Sequence, residues 1–227
     1  MHSYLLRAAT AATVIFLTAC GGGGSADDGY RPPPPLPVPT PNPNPYPNTY
    51  SCSNEGLIKS ALSSLPTVCM LTSSGEIVFE LYSDTVPNTV NNFLRYVADG
   101  AYKNTLFHRV DRDFVIQGGG FTSGMVERPP AYAPIPLEAR EYNLPGTIAM
   151  AHRSDPNSAT NQFFINVKDN KDLDYQSAAK PGYAVFGRVI SGMATVEAIN
   201  AVPVYVYSEA DLRPRQEVLI YWVQRLK

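Results

Sequence analysis

Phe107-His108-Arg109-Val110-Asp111-Arg112-Asp113-Phe114-Val115-Ile116-Gln117-Gly118-Gly119-Gly120-Phe121-Thr122 holds the end of one β-rich run, 105–110, and the whole of a second, 114–117, followed by a glycine tract. His108, Asp111 and Asp113 are close in sequence but diverge at strand spacing, so no metal site is expected there. The glycine tract has no following Lys-Ser/Thr and opens no helix, which excludes a phosphate loop. Outward from this stretch, residues 68–72 and 77–82 are strand candidates joined by the hairpin signal Ser73-Ser74-Gly75-Glu76. Further strands are expected at 147–151, 162–167, 184–190 and 217–224. Pro87 opens a helix whose Val90, Phe93, Leu94 and Val97 share one face and which Gly100 ends. A second helix is expected over 193–200, with Met193, Val196 and Ile199 inward. Eight short strands and two helices predict a mainly-β domain, a closed eight-stranded antiparallel β-barrel capped by two α-helices. On pattern alone a β-sandwich remains a competitor.

The whole chain has 227 residues, 44% hydrophobic and 17% charged, with a formal net charge of −2. That permits one good-sized core. Near-neutrality without a Lys/Arg run argues against nucleic acid or an anionic membrane surface as the main partner. Three histidines leave little room for zinc, and no nucleophile elbow supports hydrolase chemistry. Of 21 prolines, 10 fall within residues 31–50. The chain is therefore two materials joined end to end.

Residues 1–19 read as a signal peptide: Arg7 supplies positive charge, and the apolar run 8–17 is shorter than the roughly 20 residues that span a bilayer. Leu17-Thr18-Ala19-Cys20 resembles the bacterial lipobox, which makes Cys20 the expected lipid anchor. Gly21, where an inner-membrane retention signal would carry Asp, favours the outer membrane. The expected location is thus the bacterial cell envelope, lipid-anchored, periplasmic or outer membrane. Residues 20–50 form a Gly/Pro-rich tether, expected to be disordered and to favour extended polyproline II.

In an oxidising compartment Cys52 and Cys69 are most economically read as a disulfide, closing a loop of 18 residues counting both ends. It would clip a short helical extension, 51–66, to the edge of the domain at 67–227. Leu57, Ile58, Ala61, Leu62 and Leu65 recur there at helical spacing, and Pro66 stops the helix.

The opening stretch, followed by Pro145-Gly146-Thr147-Ile148-Ala149-Met150-Ala151, by Asn161-Gln162-Phe163-Phe164-Ile165-Asn166 and by Tyr183-Ala184-Val185-Phe186-Gly187-Arg188-Val189, resembles the cyclophilin family of peptidyl-prolyl cis-trans isomerases. The order and spacing are near those of the family, most closely in the style of its bacterial periplasmic members. The resemblance spans about residues 68–223 and implies proline-containing polypeptides as substrates, folding in an extracytoplasmic compartment, with no cofactor and no metal. A monomer is expected.

Matched motif by motif, the resemblance assigns catalysis to Arg109, Phe114 and Gln117. It assigns peptide binding to Val115, Phe164, Leu173, Tyr183 and Gln162, with the backbone of Ala151 and His152. An arginine suits bond rotation because it stays charged and offers several fixed donors. Four features depart from the common eukaryotic pattern: the 151–162 loop is one residue longer, His152 replaces Asn, Asp172 stands where many members carry a tryptophan, and Tyr183 takes the place of a pocket histidine. Because the drug's indole partner is missing, weak cyclosporin binding is expected. Two other readings stay open from sequence: a chaperone or binding module using the same cleft, and a surface interaction protein whose functional part is the proline-rich stalk.

Overall fold

The computed structural model describes residues 51–227. The signal peptide, Cys20 and the tether expected from sequence lie outside the described residues. Within them the elements run α1 (Asn54–Leu62), β1 (Thr67–Thr72), β2 (Gly75–Leu81), α2 (Pro87–Ala98), β3 (Thr105–Asp111), β4 (Val115–Thr122), β5 (Val126–Glu127), β6 (Thr147–Met150), β7 (Phe163–Asn166), β8 (Val185–Ser191), α3 (Met193–Asn200), β9 (Val204–Ser208), β10 (Asp211–Pro214) and β11 (Val218–Arg225).

The strands pair antiparallel in the order β3-β11-β1-β2-β8-β6-β7-β4, and β4 pairs back onto β3. Eight strands thus close into a barrel and leave no open edge among themselves. The sandwich alternative falls on that closing pair. Alternate strand residues point inward, and Met70, Phe79, Val110, Ile116, Ile148, Ile165 and Ile220 are fully enclosed. α2 covers one opening with Val90, Phe93, Tyr96 and Val97, while α3 inserts Val196 and Ile199. Phe93 meets Phe186 at 5.0 Å and Phe163 edge-on at 6.0 Å, so the helix is tied to the barrel by aromatic packing.

α2 begins at Pro87 without a side-chain cap of its own. Buried Glu138 supplies one from a distant loop, accepting from the Thr89 N–H and the Thr89 hydroxyl at 2.8 Å each. A carboxylate suits that position because it faces the positive end of the helix dipole.

α1 turns differently from its apolar pattern. Leu57, Ile58 and Leu62 are exposed, and the buried residues are Gly56 and Ser60. The covalent clip explains the rotation. Cys52 is joined to Cys69, with Cα atoms 6.1 Å apart. A Cβ on Gly56 would lie 2.6 Å from the Cys52 Sγ and 2.9 Å from Val78, so only a glycine face can sit against the barrel there. Ser53 caps the helix and bonds Glu76 through both its N–H and its hydroxyl. The cystine and Trp222 share one small cluster with Val78.

Reduction is expected to cost about 3 kcal/mol of stability through the released loop. It should also raise Trp222 emission by removing an adjacent quencher. Urea unfolding followed at the tryptophan, with and without reductant, checks both; an unchanged midpoint would contradict the stabilising role.

Two features depart from the strands expected from sequence. β4 continues through the glycine tract to Thr122, where 114–117 alone was expected. A second hairpin, β9–β10, stands between α3 and the last strand. Its chain alternates Tyr205, Val206 and Tyr207 without an inward apolar face, since Val206 and Tyr207 are exposed.

Candidate active site

Register builds the site. Arg109 on β3 is opposite Gln117 on β4, and Gln117 is opposite Phe164 on β7. The three side chains therefore stand in a row across neighbouring strands on the outer face, while Val110, Ile116 and Ile165, one residue along, point into the core. Val115, two residues before Gln117, joins the same face.

A cleft of about 120 Å³ opens over this row. Phe114, Val115, Phe164 and Leu173 form its apolar walls, and Arg109 and Gln117 bring polar groups to its side. Tyr183 closes one end, its ring edge-on to Phe164 at 5.3 Å and stacked on His152 at 4.3 Å. The ring nitrogens of His152 face the carbonyls of Arg153 and Gly182 at 2.6 and 2.8 Å, which fixes the ring. Gln117 Nε2 donates to Gln162 Oε1 at 2.9 Å. All ten binding and catalytic residues expected from sequence are thus brought to one region. One detail is narrower than expected: the Ala151 N–H already donates to the Gln162 carbonyl at 2.9 Å, which leaves the Ala151 carbonyl for a ligand.

The glycine tract earns its place here by close approach. Gly119 has φ +88°, and a Cβ there would meet the Asn161 carbonyl at 2.9 Å. A Cβ on Gly120 would collide with the Gln162 side chain at 2.5 Å. The tract makes room for the glutamine pair.

Beneath the apolar walls lies a buried amide network. Asn166 Nδ2 donates to Asn143 Oδ1 at 3.1 Å and to Thr147 Oγ1 at 2.9 Å, and its Oδ1 accepts from Asn170 Nδ2 at 2.8 Å. Asn170 Nδ2 also donates to the Phe114 carbonyl, and Asn143 Nδ2 to that of Leu173, both at 2.9 Å. Two cleft residues are thus held by backbone contacts to one polar network. Nothing in the sequence pattern marked Asn143 or Asn170.

Beyond the glutamine pair a second cavity of about 350 Å³ is lined by Glu127, Arg128, Arg153, Thr160 and Asn161, among others. Apart from Gln117 on β4 and Glu127 on β5, its walls come from loops without periodicity, and Glu127, Arg128, Arg153 and Thr160 carried no signal in the sequence pattern. Nor did sequence single out the acceptors that meet Arg109. Asp111 Oδ2 lies 2.7 Å from Nη2, and the Ala210 carbonyl on the second hairpin lies 3.1 Å from Nε.

His108 sits beside Arg109 where the β3–β4 register shifts, and the two line one cavity with Gln117, Phe121 and Asp211. The histidine is 8% exposed, packs 4.7 Å from the Phe121 ring, and its Nδ1 has no partner. Burial, reinforced by the nearby Arg109 guanidinium, lowers its pKa to about 4. Because the folded value lies below the unfolded one near 6.5, the unfolded chain binds more protons between them. Stability is therefore full above about pH 6.5 and falls as pH drops toward 4, by about 3 kcal/mol from this residue. Urea midpoints across that window should flatten in His108→Phe; an unchanged slope would contradict the assignment.

The sequence profile described as cyclophilin type peptidyl-prolyl cis-trans isomerase/CLD matches residues 67–224. A peptidyl-prolyl cis-trans isomerase of Acinetobacter baylyi is 46% identical over 172 residues, covering 74% of this chain and 90% of that protein. Peptidyl-prolyl cis-trans isomerase B of Escherichia coli is 43% identical over 153 residues, covering 66% of this chain and 93% of that protein. Among solved structures, a cyclophilin-type isomerase of Cryptosporidium parvum, determined in the presence of the dipeptide Ala-Pro, superposes with a TM-score of 0.61 at 28% identity, covering 71% of this chain and 99% of its own.

Proposed function

This chain belongs to the cyclophilin-type peptidyl-prolyl cis-trans isomerase family and is a peptidyl-prolyl cis-trans isomerase, and on that premise we propose that it turns X-Pro bonds in extracytoplasmic proteins, with Arg109 as the principal catalytic group. The observation that carries the residue assignment is the row Arg109, Gln117, Phe164 along an open, apolar-walled cleft.

The reaction breaks no bond. Amide resonance sets a rotational barrier of about 18–20 kcal/mol, which leaves the free bond isomerising in tens to hundreds of seconds. Twisting the bond makes the prolyl nitrogen pyramidal and restores its lone pair. A guanidinium N–H aimed at that nitrogen binds the twisted form better than the planar one, and only such differential binding accelerates the step. Phe114, Val115, Phe164 and Leu173 take the pyrrolidine ring and exclude water, while Gln117, Gln162 and the Ala151 and His152 backbone hold the flanking peptide. A barrier lowered by about 7 kcal/mol would give roughly 10⁵-fold acceleration.

Residues 1–19 act as the signal, Cys20 as the lipid anchor, 20–50 as a spacer, 51–66 as a clipped extension and 67–227 as the working domain. The supporting signals are the lipobox-like Leu17-Thr18-Ala19-Cys20 and the cystine, which forms in oxidising compartments. The isomerase works as a monomer on the cell envelope. Mass spectrometry of the native protein tests this: an acylated N-terminal Cys20 is expected, and an unmodified Met1 or a free Cys20 terminus would overturn the anchor.

With Asp172 in place of an indole, cyclosporin should inhibit only at micromolar or higher concentration. Nanomolar inhibition in a protease-free isomerisation assay would contradict that expectation.

A further inference from the structure

The hairpin β9–β10 lies against β3, and its two-residue turn at 209–210 brings the Ala210 carbonyl to the Arg109 side chain. Nε donates to that carbonyl at 3.1 Å, and Nη2 donates to Asp111 Oδ2 at 2.7 Å. Asp111 stands two residues beyond Arg109 on β3 and so shares its face. Two of the guanidinium's five N–H groups are committed to these acceptors, and the others are left to a bound peptide. The pair is partly sheltered, with side-chain exposures of 19% for Arg109 and 28% for Asp111, so the contact is not a loose surface ion pair.

The hairpin is itself braced. Arg213 Nε and Nη2 each meet an Asp211 oxygen at 2.6 Å, a forked pairing immediately beyond the turn. The Arg213 guanidinium lies 4.8 Å from the centre of the Tyr207 ring, and that of Arg215 lies 5.3 Å from Tyr205. Arg215 Nε also donates to the Val204 carbonyl at 3.2 Å across the hairpin base. A strand pair with no core of its own is thus stiffened by its own side chains, and its turn meets the arginine that lines the cleft. The Ala210 carbonyl lies outside the motifs that carried the family resemblance, and Asp111 lies between the two β-rich runs of the first of them.

We propose that Asp111 and the turn carrying Ala210 are positioning elements of the isomerase, holding the Arg109 guanidinium at the angle from which its remaining donors face the prolyl nitrogen of a bound X-Pro segment. This rests on the catalytic reading of Arg109. A long, flexible arginine side chain left to itself samples many rotamers, and each misaligned one is unproductive. Two acceptors from different elements, one charged and one a backbone carbonyl, restrict it before substrate arrives.

A double-mutant cycle on the full chain tests the proposal, using a proline-containing peptide in a protease-free assay. Asp111→Ala should lower kcat about 10-fold with KM changed less than about twofold, because the cleft walls are untouched. Asp111→Asn, which keeps an acceptor oxygen, should recover most of the loss. In the Arg109→Ala background the Asp111→Ala change should have no further effect. The Arg109 Nε–H resonance should shift in Asp111→Ala while backbone resonances away from β3 and the hairpin stay in place, which shows an intact fold. If Arg109→Ala is severe but the two losses simply add, the positioning role is overturned and the catalytic reading stands. If Asp111→Ala keeps wild-type kcat, the positioning role likewise falls. Should Arg109→Ala turn over normally, both readings are overturned together.

Discussion

Arg109→Ala should lower kcat/KM for an X-Pro peptide by about 10²–10³-fold, the usual cost of removing one preorganised donor aimed at developing electron density. The cleft predicts where the loss falls. Phe114, Val115, Phe164 and Leu173, which would bind the proline ring, do not depend on the arginine for their packing. KM should therefore move little, and kcat should carry the effect. Arg109→Lys is expected to recover only a small part, because an ammonium cannot reproduce the planar fork that meets Asp111 and Ala210 together. Steady-state rates in a protease-free assay check both variants. A loss smaller than about threefold in Arg109→Ala would remove the arginine from the mechanism.

Asn166→Ala is expected to cost about 4 kcal/mol of folding stability. Its amide bonds Asn143, Thr147 and Asn170, and all four residues are buried. Truncation leaves several polar partners in a dry interior and opens a void, and each effect alone costs more than a kilocalorie. The damage should reach the site, because Asn170 holds the Phe114 carbonyl and Asn143 that of Leu173. KM for the peptide should rise along with the fall in stability. Urea unfolding and a substrate titration below the transition measure the two effects. Stability within about 1 kcal/mol of wild type would show that the network contributes little.

Much of this was legible in sequence because barrel strands and covering helices write their burial into period. Phe93 and Val97 on α2, and Val196 and Ile199 on α3, fell where their spacing placed them. The cleft row was legible through motif wording, since spacing alone cannot distinguish Phe164 at a cleft from Phe163 in the core beside it. The rest was hidden for physical reasons. α1 shows an apolar stripe, yet a cystine and a glycine contact fix its rotation and leave Leu57, Ile58 and Leu62 outside. The β9–β10 hairpin is held by arginine stacking on tyrosines and by one forked ion pair, so it lacks the alternating apolar face that announces a strand. Glu138 caps α2 from a loop 49 residues beyond Thr89, a contact that no local pattern encodes. Asp111 could have been noticed, since an acid two residues from an arginine on a strand shares its face, but the Ala210 carbonyl could not.

The most direct test of the catalytic account is the rate of bond rotation on the enzyme itself, taken from exchange spectroscopy of a labelled Ala-Pro peptide bound in the cleft of the wild type and of Arg109→Ala. The account predicts that bound cis and trans forms interchange at least 10²-fold more slowly in the variant while peptide affinity changes less than about threefold. Equal rotation rates in the two proteins, or a loss carried wholly by affinity, would contradict it.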